Sequence, residues 1–296
     1  MYGKRQDQEF DYVQLLQSRL KTRILERKAS HRISVSKKPK AALVALLWMA
    51  SALSSAPAGA ADSFTFSTAL EDTKLYFTAP LRWDAEDWLY FGGTLAAVGA
   101  AHQFDQRVRT HFATGSYAAL DGKDRNSLRD AVPAVALIAG TWAFAGYLGD
   151  SDGYREGWSL IEAGVLSTAS GMILGYAAGR ERPDATTSPN QWRQGGDSFP
   201  SLHASAAFAI GTVFAESGSD DYRWIRRVVG YGMAGATAYV REKENVHWLS
   251  DTVAGAALGI ATARFVLNRQ AAASHASLQF QPQKDGWLLS YSVSTH

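Results

Sequence analysis

The 296-residue chain contains no cysteine. That removes disulfides, thiolate metal sites and a cysteine nucleophile from consideration. Nor does its main body carry a basic excess. Residues 1–40 hold eleven lysines and arginines against four acids, which leaves nineteen basic and twenty-four acidic residues in the remainder. Nucleic-acid binders show a basic face on the folded domain, so nucleic acid is not expected as a partner. The sequence shows neither a repeat at solenoid period nor a metal-ligand cluster.

The first apolar run, Ala41 to Leu53, is also short of the ~20 residues that span a bilayer. It follows Lys37, Lys38 and Lys40 and precedes Ala58-Gly59-Ala60. A charged stretch, an apolar core and a small-residue end form a secretory signal. Residues 37–60 are therefore expected to be cleaved and the mature chain to begin near Ala61. Residues 1–36 form a polar, basic leader longer than a signal needs, which fits a start nearer Val35.

What is present is mostly helix. After an expected extended lead-in over 61–85, apolar runs rich in alanine and glycine predict six helices. They cover about 88–101, 131–148, 158–178, 201–215, 227–240 and 248–267. The tail, 271–296, alternates about Lys284-Asp285-Gly286 and predicts a β-hairpin. The fold class is all-α: a six-helix bundle over 86–270 with a short C-terminal hairpin. Trp88, Trp158 and Trp248 at helix ends fit either an interfacial belt or caps on a soluble core. His102 and His111 flank a polar connection and are read as solvated.

Three polar clusters interrupt the helices: "GRERPD", "FPSLHA" and "VREKENVHWLSD". In the last, His247 and Asp251 are four apart and share a helix face. A carboxylate on one imidazole nitrogen leaves the other as nucleophile or base. Arg182 and Arg241 supply planar forks for phosphate oxygens. Ser201 adds a hydroxyl at a helix start, where backbone N–H groups favour an anion. His203 is placed to act as a general acid.

In this order the clusters resemble the signature of the type-2 phosphatidic acid phosphatase and vanadium haloperoxidase superfamily. That signature is K-x6-RP, then PSGH, then SR-x5-H-x3-D. The resemblance covers roughly Glu86 to Arg269. It implies that His247 is the nucleophile of a phosphohistidine route, oriented by Asp251, with His203 protonating the leaving group. Arg182, Ser201, Leu202 (through its backbone N–H) and Arg241 would hold the phosphoryl oxygens.

The resemblance further implies a phosphatase acting on phosphate monoesters or pyrophosphates, of lipids given the apolar helices. No metal or other cofactor is expected, and vanadate would be an inhibitor. The alternatives are a haloperoxidase with vanadate as cofactor, or a non-catalytic module binding lipid phosphate. The expected partners are a phosphorylated lipid or small phosphate ester and a membrane surface. The expected location is periplasmic and membrane-associated, with integral insertion as the alternative.

The chain departs from the signature at three positions. Gly175 stands at the lysine, Leu202 at the glycine of PSGH, and Val240 at the serine before Arg241. Leu202 is expected to narrow the pocket, and Arg180 or Lys243 to replace the missing cation.

Overall fold

The computed structural model describes residues 66–113, 127–148, 151–218, 220–283 and 286–293. The stretches read as leader and signal, and the turn expected at Lys284-Asp285, lie outside them. Among the described residues are eight α-helices: α1 Phe66–Thr78, α2 Ala85–His102, α3 Asp105–Ala113, α4 Ser127–Leu148, α5 Ser151–Ala178, α6 Leu202–Glu216, α7 Arg223–Lys243 and α8 Leu249–His275. Strands β1 (Ala276–Gln283) and β2 (Gly286–Val293) pair antiparallel, with Ala276 opposite Val293 and Gln283 opposite Gly286.

The count therefore exceeds six by two helices, α1 and α3. Helix α1 replaces the extended chain expected in the lead-in. Its half-buried side includes Ala69, Asp72, Thr73 and Tyr76, a helical spacing whose members are largely polar. Their partners are polar too. The Tyr76 hydroxyl is 2.7 Å from Thr262 Oγ1 in α8, and Arg269 Nε donates to Asp72 at 2.7 Å. A reading based on apolar period misses such a face.

Helix α2 starts at a reciprocal cap. Asp84 accepts from the Asp87 N–H at 2.9 Å, and Asp87 accepts from the Asp84 N–H at 3.3 Å. Helix α5 begins at Ser151, two polar turns before its apolar run. Contacts from Arg226 of α7 to Glu156, and from Gln270 of α8 to Ser159, hold that polar start.

The buried core lies where α5, α6 and α8 meet, at Leu160, Ala163, Leu166, Ala209, Ile210, Val213, Ala263 and Val266. Helices α6 and α8 run nearly backbone to backbone. A Cβ on Gly255 of α8 would stand 2.6 Å from the Ser201 carbonyl, so a larger residue there forces the helices apart. This contact brings the start of α6 against the start of α8. Trp158 and Trp248 are buried, whereas Trp88 is exposed; the first two are core residues and not a belt.

Helix α5 ends at Gly179, whose φ of +53° is the left-handed terminating conformation that favours glycine. The following loop is pinned back on that end. Arg193 and Gln194 donate backbone N–H groups to Ala178 and Gly179 at 2.9 and 2.8 Å, and Ser198 donates to Arg180 at 3.0 Å. The Ser198–Ser201 segment is thereby delivered to the mouth between α5 and α8.

Candidate active site

All three polar clusters come together at one end of the bundle. The Ser201 N–H donates to the Asp251 carbonyl at 3.0 Å, which ties the start of α6 to the first turn of α8. Ser201 is fully buried, and its Oγ accepts from the Ala204 N–H at 3.4 Å. An N-cap hydroxyl that accepts keeps its own hydrogen for another acceptor. His203 is the second residue of α6 and half-buried.

His247 sits between α7 and α8 and is almost wholly buried. Its Nδ1 lies 2.7 Å from the Ser198 carbonyl and 3.7 Å from Asp251 Oδ2. The hydrogen bond that fixes the tautomer thus goes to a backbone carbonyl. The expected direct bond from Asp251 is replaced by an indirect one. Asp251 Oδ2 accepts from Ser198 Oγ at 2.5 Å and from the Trp248 N–H at 2.9 Å. It holds both the residue that orients the imidazole and the backbone just after it. Nδ1 donates, so Nε2 carries the lone pair. Burial first, and then the Arg182 charge, push the His247 pKa below its ordinary value, against the pull of Asp251. The ring is neutral at neutral pH.

Each expected phosphate-binding arginine meets a carboxylate. Arg182 Nε donates to Asp197 at 2.6 Å, and Arg241 Nη2 is 2.7 Å from Glu244. Lys243 ends α7 two residues beyond Arg241. Residues two apart on a helix do not share a face, so Lys243 is turned away from the side that Arg241 presents.

Arg180 is not the replacement cation. It is fully buried, with Nη1 2.5 Å from Asp251 and Nη2 2.7 Å from Asp105. Nη1 also donates to Ser250 Oγ at 2.8 Å, and the guanidinium stacks 4.4 Å over Trp192. Leu202 does not narrow the mouth either. Its Cδ2 fills the space beside Gly171 of α5, where a Cβ would come within 2.6 Å.

Sequence reasoning missed Asp105, Ser198 and Ser250, and it dismissed His102. His102 is half-buried, with Nδ1 2.8 Å from Asp105 and Nε2 2.8 Å from Asn190 Oδ1. Asp105 carried one available signal: it is an acid at the start of a helix. Solvated acids share that position, and nothing local separates them.

Residues 156–274 match the family model of the PAP2 superfamily. This segment is similar to the PAP2 superfamily. The matched segment opens in α5 and closes in α8, so α1 to α3, with Tyr76, His102 and Asp105, pack onto it from outside. A lipid A 1-phosphatase of Porphyromonas gingivalis is 35% identical over 116 residues, which is 36% of this chain and 23% of that protein. The match therefore spans under a quarter of that relative's length. Among solved structures, LpxE of Aquifex aeolicus has a TM-score of 0.33 at 20% identity, covering 51% of this chain and 92% of its own. The first transmembrane PAP2-type phosphatidylglycerolphosphate phosphatase from Bacillus subtilis has 0.37 at 16%, covering 77% and 96%.

Gly175 faces the Phe199 carbonyl, which a Cβ would approach to 3.2 Å. The glycine at the lysine position thus points toward the loop that leads into Ser201. Gly175→Lys is expected to tighten phosphate and vanadate inhibition roughly ten- to hundredfold, since a charge-assisted contact contributes about 1.5–3 kcal/mol. The loop must yield by a few tenths of an ångström, so the melting temperature is measured alongside. A folded variant with unchanged inhibition constants would show that the side chain does not reach the anion.

Proposed function

We propose that the chain is a metal-independent phosphatase of phosphorylated lipids, working through a phosphohistidine at His247. The observation that carries this reading is the buried, neutral imidazole whose Nδ1 is held by Ser198 at 2.7 Å, leaving Nε2 to attack. In the first step the Nε2–P bond forms and the P–O bond to the lipid breaks. His203 gives its proton to the departing oxygen. In the second step His203 takes a proton from water, whose oxygen attacks phosphorus, releasing phosphate and restoring His247. Splitting the displacement lowers each barrier, and Arg182 and Arg241 stabilise the charge gathering on the phosphoryl oxygens. Ser201 and the first-turn N–H groups of α6, beginning at Leu202, complete the cradle.

The lipid substrate class is supported by the outer surface. Leu89, Tyr90 and Leu95 of α2, Ile173 of α5, and Val228 and Val229 of α7 are large apolar side chains left exposed. Large apolar side chains left exposed on several helices fit contact with lipid or another apolar surface. Among the described residues one helix, Asp152–Ala178, is long and apolar enough to cross a membrane by length and composition. The Porphyromonas gingivalis relative is named for lipid A, and a phosphorylated glycolipid heads the candidate substrates.

The test is phosphate release from a panel of phosphorylated lipids, with and without EDTA, in the presence of detergent. Turnover that survives EDTA, with an acid-labile and alkali-stable phosphoenzyme trapped in the first turnover, supports the route. Complete EDTA inhibition would sink it. His203→Ala is expected to reduce turnover of alkyl phosphates about 10²–10⁴-fold. It should affect p-nitrophenyl phosphate much less, because a good leaving group needs little protonation. Equal losses on both substrates would remove His203 from the general-acid role.

A further inference from the structure

We propose that Asp105, outside the matched PAP2 segment, is a positioning residue that sets the first turn of α8 and through it the catalytic imidazole. The inference rests on the reading of His247 as nucleophile. Asp105 opens α3 and is fully buried, so it acts on a substrate only through other residues.

Its partners define what it does. Oδ1 accepts from the Ser250 N–H at 2.8 Å, while Oδ2 accepts from Ser250 Oγ at 2.7 Å and from Arg180 Nη2 at 2.7 Å. The Ser250 N–H is one of the first-turn donors that a helix cannot satisfy internally. Asp105 therefore caps α8 from another helix, and its negative charge sits at the positive end of that helix. Asp251 caps the same turn from within, through the Trp248 N–H at 2.9 Å. Arg180 bridges the two carboxylates, 2.7 Å from Asp105 and 2.5 Å from Asp251. His247 is the residue immediately before this doubly clamped turn.

With the clamp intact, Asp251 is aimed at Ser198, and Ser198 at His247. When the Asp105 charge is removed, Arg180 keeps a single carboxylate and the α8 turn loses its outer cap. A displacement on the order of 1 Å at a reacting group costs about a hundredfold in rate, whereas substrate binding at Arg182 and Arg241 is left in place.

The experiment uses the full chain in detergent, comparing wild type, Asp105→Asn, Asp251→Asn and the double variant. Asp105→Asn is expected to lower kcat about ten- to hundredfold with KM changed less than about twofold. In the Asp251→Asn background it should cost little more, because both act on one turn. Hydrogen exchange at the amides of residues 248–252 should quicken about tenfold or more while the rest of α8 stays protected.

Exchange is read independently of turnover, so an inactive wild type would overturn the phosphatase reading and still leave this inference decided. Unchanged exchange in folded Asp105→Asn overturns it, as does a full additional kcat loss in the double variant. If Asp105→Asn does not fold, Ser250→Ala removes one hydroxyl from the clamp. It should lower kcat about two- to tenfold with the same local exchange, and wild-type exchange and kcat in that variant overturn the proposal.

Discussion

His247→Ala is expected to abolish turnover, by about 10⁴-fold or more, in a protein that still folds. The imidazole makes its one fixed hydrogen bond to the Ser198 carbonyl at 2.7 Å, and a covalent route has no substitute for the attacking nitrogen. Asp251→Asn should be roughly one to two orders of magnitude less damaging, since it loosens Ser198 without removing the nucleophile. Steady-state release of p-nitrophenol and of phosphate measures both. An active His247→Ala protein would refute the nucleophile assignment outright.

The same imidazole is expected to set the acid limb of the pH profile. Burial holds its pKa below the ordinary 6.5, so kcat/KM should stay level down through that pH and fall only as Nε2 is protonated below it. The stability consequence has the same sign. The unfolded chain binds the proton first, so the stability linked to the neutral ring is complete above the unfolded value. It is lost as the pH falls through the lower folded value.

Arg180→Met is expected to destabilise the protein by about 3–5 kcal/mol, the typical cost of stranding a buried charge. In a domain of this size that is a drop of about 6–20 °C in melting temperature. The methionine refills most of the volume beside Trp192 and Trp248, but it leaves two wholly buried carboxylates, Asp105 and Asp251, without their shared cation. Exposed Arg227, paired with half-buried Glu216, provides the control, and Arg227→Met should melt close to wild type. If Arg180→Met also melts with wild type, the buried network does not hold the site together.

The relation between sequence and structure differs from one element to the next. The apolar runs that became α2 and α4 to α8 were legible because burial of one helix face imposes a periodic pattern on neighbouring residues. Helix α1 was not, because the side it turns inward carries Asp72 and Tyr76, which find polar partners in α5 and α8, and Thr73, which bonds back to the Ala69 carbonyl. Leu202 read as an obstruction, and only the packing of α6 on α5 shows it seated beside Gly171.

The sequence by itself determined the residue types of the site and their placement at helix mouths. Each cluster is contiguous, and its chemistry depends on spacings within a single turn or loop. It also determined that no thiol takes part, since the chain has no cysteine. The tertiary structure alone decided which groups work together. Ser198 reaches His247 across 49 residues, and Arg180 reaches Asp105 across 75. Charge and hydrogen-bonding capacity are written in the sequence. Whether an arginine meets a phosphate or a buried carboxylate depends on distance and desolvation, which arise only when separate helices pack.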